Sequence, residues 1–105
     1  MDMSEPDWKA FKEVRATALD RFYRRVLDEA RAVCDDDSAS ARERYRKLYD
    51  LIHKRDTELA DAFDDVRRST AIMRLMAMRN HNLVTPEELE RFSLDIRSLL
   101  ARFDD

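Results

Sequence analysis

SARERYRKLYDLIHKRDTELADAFDDVRRSTAIMRLMAMRNHN, residues Ser40–Asn82, is the stretch that decides the fold. It contains no Gly and no Pro, and its apolar residues recur at helical spacing. Read as heptads, one seam runs Tyr45, Leu48, Ile52, Arg55, Leu59, Ala62, Val66, Ser69, Met73 and Met76. All but Arg55 and Ser69 are apolar or aromatic, the pattern of one long amphipathic helix. Such a helix would be about 60 Å long. A compact chain of this length has a radius of gyration near ~13 Å. The helix must therefore break, or the protein must be elongated. A break would fall at Arg67-Arg68-Ser69-Thr70, where Ser and Thr are available as caps. Arg55, on the seam, needs a carboxylate from Asp56, Glu58 or another helix.

At the start of the stretch, Ser40-Ala41-Arg42-Glu43 matches a capping box. At its end, Asn82 suits the left-handed residue that closes a helix, with Leu83 packing back on Met78. Thr85, Pro86 and Glu88 then supply an N-cap, an N1 proline and a second capping box, stapled by Val84 and Leu89. The corner Val84-Thr85-Pro86-Glu87-Glu88 resembles that of small bacterial C-terminal helical modules, but the Gly that precedes it there is missing. A third helix is expected from Pro86 to about Phe103. Its seam of Leu89, Phe92, Ile96, Leu99 and Phe103 would fold back on the Met-rich end of the second helix.

Upstream, Ser4 caps a first helix expected from Glu5 to Val33. Its apolar face runs Trp8, Phe11, Val14, Ala18, Phe22, Val26, Ala30 and Val33, widened by Leu19, Tyr23 and Leu27. Arg15, Arg21, Arg24, Arg25 and Asp28 lie opposite, on a face expected to be solvated. Asp35-Asp36-Asp37 oppose the helix dipole and help end the helix. They lack the alternating ligands and central Gly of a calcium loop.

Composition narrows the function. The 105 residues give one domain, residues 1–105, with a charged share of 41% against about 25% for an average domain. The absence of Gly removes phosphate-cradling loops, dinucleotide fingerprints and nucleophile elbows in their usual form. A net charge of −3 gives no net attraction to nucleic acid or an anionic membrane. Cys34, the single cysteine, cannot form an intramolecular disulfide. The acidic segment Met1–Asp7 does not read as a signal peptide, and no apolar run nears the ~20 residues that span a bilayer. A cytoplasmic location is expected.

No residue set reads as catalytic, cofactor-binding or metal-binding. Asp50-Leu51-Ile52-His53 has carboxylate-to-histidine spacing, but no second pair completes a helical metal site. Asp61, Asp64 and Asp65 near Arg67 and Arg68 read as surface pairs, and His81 as an exposed turn residue. Met73, Met76 and Met78 read as core. Arg42, Arg44, Arg46 and Lys47 around Tyr45 are the candidate nucleic-acid contacts, with Arg21, Arg24 and Arg25 as neighbours. Arginines at alternate positions point different ways around a helix, which favours a solvated face with Tyr45 in the core.

The expected fold is all-α: three long helices, the third folded back on the second as a helical hairpin. Apolar surface beyond a single seam leads to completion by a homodimer, with Ile52, Leu59 and Val66 at the interface. The alternative is a compact four-helix monomer with the second helix broken near 67–70. The expected function is a non-enzymatic protein–protein interaction or scaffold module without a cofactor, acting as a homodimer or with an unidentified protein. A small RNA- or DNA-associated regulator is the alternative.

Overall fold

The computed structural model describes residues 2–103. Its regular elements are all helices: α1 (Glu5–Cys34), α2 (Ala41–Phe63), α3 (Ala71–Asn80), α4 (Pro86–Leu89) and α5 (Leu94–Ala101). The expected caps form. The Ser4 hydroxyl accepts from the Asp7 amide and the Ser40 hydroxyl from the Glu43 amide. Thr85 and Glu88 close a reciprocal capping box. Asn82 takes φ 58°. The Leu83 amide donates to the Met78 carbonyl and the Asn82 amide to the Arg79 carbonyl, both at 2.9 Å. These two bonds define the Schellman ending.

The continuous helix over Ser40–Asn82 does not form. α2 ends at Phe63, Asp64 is extended, and Asp65 takes the left-handed φ of 52°. The Thr70 hydroxyl then ties the loop, donating to the Asp65 carbonyl and accepting from the Arg67 amide. Thr70 therefore does not cap α3 through its side chain. Packing explains the break. A straight helix would carry Leu75 and Met78 about 20 Å past Phe63, away from the first helix. Reversal instead buries Ala71, Leu75 and Met78 completely. Full burial of a large apolar side chain is favourable by roughly 1.5–3 kcal/mol.

The third helix is also broken. α4 stops after one turn, and Ser93 caps α5 by accepting from the Ile96 amide. Phe92, Ile96 and Leu100 form the buried row, whereas Phe103 is exposed. α3 and α5 do not pack closely along their lengths; the main helix pairs are α1–α2, α2–α3 and α1–α3. The hairpin expected of the second and third helices is thus not among the main helix pairs, which join α1, α2 and α3. Arg15 reaches Phe63, Glu29 reaches Arg55, and Cys34 reaches Arg44, so α1 and α2 run antiparallel.

The core joins Phe11, Val14, Ala18, Phe22 and Val26 of α1 to Phe63, Leu75, Met78, Leu83, Phe92, Ile96 and Leu100. Beyond Val26 the third layer is gone. Between Leu27 and Asp61, Ala39 alone is buried. The end of α1 and the first half of α2 form a two-helix arm. It stretches the molecule to 52 × 25 × 24 Å, with a radius of gyration of 16.6 Å. Among the described residues, no helix is long and apolar enough to cross a membrane.

Candidate interaction surface

A helix end leaves carbonyls without intrahelical partners. With no Gly in the chain, arginines supply many of the missing donors. Arg15 of α1 donates to the Phe63 carbonyl at 3.0 Å, and Arg74 to that of Asp61 at 2.6 Å. Arg25 donates to the His81 and Asn82 carbonyls at 2.8 and 2.7 Å. Arg44 holds the Cys34 carbonyl, Arg68 that of Met3, and Arg79 that of Leu100. Arg21 reaches the Leu83 carbonyl and pairs with Glu88 at 3.0 Å. The arginine face of α1 is therefore only partly solvated: Arg15, Arg21 and Arg25 are structural donors. Planar, forked guanidinium groups suit this role.

Two buried carboxylates complete the polar framework. Burial pushes the Glu88 carboxyl up, but Arg21 and the Thr85 amide and hydroxyl outweigh it and hold it below the ordinary 4.5. Burial likewise raises Asp7, while the hydroxyl and amide of Ser93 and the Ser4 hydroxyl bring it below the ordinary 3.8. The sequence marks Asp7 only as a first-turn acid. Its long-range partner, Ser93, carries no local signal.

The four basic residues at the start of α2 do not share one face. Arg44 is turned back onto the end of α1, while Arg42, Arg46 and Lys47 stay exposed. Arg21 and Arg25 grip the α3–α4 corner rather than joining this group. Tyr45, expected in the core, is 70% exposed. Tyr49 is 61% exposed, and its ring stacks on His53 with centroids 6.1 Å apart. Arg55 finds two carboxylates, Glu58 at 2.7 Å and Glu29 at 2.8 Å. His81 pairs with Asp61 at 3.1 Å, and Asp65 with Arg67 at 2.8 Å. The expected methionine core is divided: Met78 is buried and Met76 partly so, but Met73 is 62% exposed.

Of the three residues expected at a dimer interface, Ile52 stands exposed on the arm. Leu59 is half-buried against the core, and Val66 lies in the α2–α3 connector. Because α2 ends at Phe63, Val66 does not continue the line of the other two. The feature that replaces the broken seam is a groove of about 340 Å³ between α1 and α2, lined by Tyr23, Val26, Leu27, Ile52, Asp56 and Leu59 among others. Tyr23, Leu27 and Ile52 expose large apolar area there, and Tyr45 and Tyr49 extend the exposure toward the arm's tip.

No protein-family model, curated protein or solved structure matches this chain. Among the described residues, no group of three or more His, Cys, Asp and Glu side chains is placed to hold a metal ion.

Proposed function

We propose that this chain is a non-enzymatic protein–protein interaction module whose working surface is the α1–α2 arm, with a second copy as its first partner. One observation carries the reading. The arm exposes Tyr23, Leu27, Tyr45, Tyr49 and Ile52, yet buries only Ala39 between Leu27 and Asp61. Two helices without a third layer have little core of their own. Contiguous apolar surface of this kind marks an interaction site, and tyrosine is enriched where interface energy concentrates. Light scattering of wild type and of a Tyr23→Asp/Ile52→Asp variant tests this. The wild type is expected to associate and the variant to be monomeric with its helix content kept. Equal mass for both would overturn the reading.

A second reading has its own support. Tyr45 and Tyr49 are exposed beside Arg42 and Arg46, a combination that suits base stacking and phosphate contact. Arg44 is already engaged, and the net charge of −3 works against it. Fluorescence polarisation with generic RNA across a salt series tests this reading, because phosphate contacts weaken steeply with salt.

A further inference from the structure

The exposed side of α2 has an internal order. Arg42, Tyr49 and Asp56 recur every seven residues, and so do Tyr45, Ile52 and Leu59. Two interleaved rows with this repeat form the seam by which one helix lies along another. α1 occupies a different side of α2, reached by Arg44 and Arg55. The second seam faces solvent at Tyr45, Tyr49 and Ile52, and borders the groove at Ile52, Asp56 and Leu59.

The charges on this seam are polarised. Arg42 stands at the tip end and Asp56 toward the core, both exposed, and neither is ion-paired among the described residues. Tyr49 lies midway, since 42 and 56 average to 49. A parallel second copy would set Arg42 against Arg42 and Asp56 against Asp56, which is repulsive. An antiparallel copy whose two-fold axis passes at Tyr49 sets each Arg42 against the partner's Asp56. It also brings each Tyr49 beside the partner's Tyr49.

Resting on the self-association proposed above, we infer that a second copy docks antiparallel on α2, with the two-fold axis at Tyr49 and Arg42 paired with the partner's Asp56. The incoming helix lies along the groove and covers Tyr23 and Leu27 of α1. Two arms then make a four-helix bundle with one self-complementary interface. Acid and base in balance on the seam favour a second copy over a polyanion.

Sedimentation equilibrium of Arg42→Glu, Asp56→Arg and the double variant tests the pairing. Each single change is expected to weaken the dimer about tenfold or more, and the double change to recover it. Both residues are exposed, and circular dichroism of each variant confirms the fold. Covalent capture provides a second readout. In a Cys34→Ser background, oxidised Tyr49→Cys is expected to give a disulfide-linked dimer, since the bond needs Cβ atoms about 4 Å apart. Lys54→Cys, off the seam, is expected not to. A wild-type dimer that ignores both charge changes and fails to cross-link at 49 overturns this register and leaves the dimer standing. A wild-type monomer overturns both, as does a monomer that binds generic RNA through Arg42.

Discussion

The carboxylate of Asp7, in the first turn of α1, accepts both the amide and the hydroxyl of Ser93, at 2.8 and 2.7 Å. This contact fixes the N-terminus of α5 to that of α1 across most of the sequence, and the same Ser93 hydroxyl caps α5. Replacing Ser93 with Ala removes the cap and leaves a buried carboxylate short of donors. The expected loss is about 1–3 kcal/mol, read as a lower denaturant midpoint. A midpoint equal to that of wild type would show that the contact contributes nothing.

The same carboxylate predicts an acid response. Asp7 and Glu88 are both held below their ordinary values of 3.8 and 4.5, burial being outweighed by their hydrogen bonds and, for Glu88, by Arg21. The unfolded chain therefore binds more protons than the folded one in this range. The stabilisation is present above the ordinary values and is lost as pH falls through the lowered ones. Thermal midpoints should drop below about pH 4, and Asp7→Asn should flatten part of that drop. A variant that follows the wild-type acid profile throughout would contradict this.

Leu75 and Met73 separate the broken second helix from a continuous one. The heptad seam places Met73 inward, whereas the observed packing exposes it by 62% and buries Leu75 completely. Leu75→Ala is expected to cost about 2–5 kcal/mol, and Met73→Ala to stay within about 0.5 kcal/mol of wild type. Urea denaturation of the two variants gives the comparison, and the reverse order would restore the continuous helix.

Thr85 is the corner where sequence and structure agree most fully. Thr85→Ala removes the hydroxyl half of a formed capping box, the acceptor for the Glu88 amide, and should lower stability by about 1 kcal/mol. An unchanged melting midpoint would mean that the Thr85 hydroxyl adds nothing to the corner.

Ser4, Ser40, Asn82 and Thr85 were legible because capping is local: the residue and its amide partner lie within a few positions. The α1 stripe was legible for the same reason, since its apolar residues repeat on one face. The break after Leu89 was not, and the break between α2 and α3 was legible only as the alternative at 67–70, not as an end at Phe63. Each follows from what α1 offers at a distance: an apolar surface for Leu75 and Met78, the Arg15 guanidinium for the Phe63 carbonyl, and the Asp7 carboxylate for Ser93. Heptad spacing through Met73 and Met76 continued across the break and concealed it. The arginines were misread for a related reason. Nothing near Arg21 or Arg25 in the sequence shows that their partners are carbonyls of the α3–α4 corner. Ile52 could be named from its seam, but its exposure depends on where the third layer stops.

As proposed above, the α1–α2 arm is an interaction surface which a second copy covers. Sedimentation equilibrium of the wild-type chain at micromolar concentration tests it most directly. A species of twice the 12.5 kDa chain mass is expected. A single 12.5 kDa species across the concentration range would contradict it.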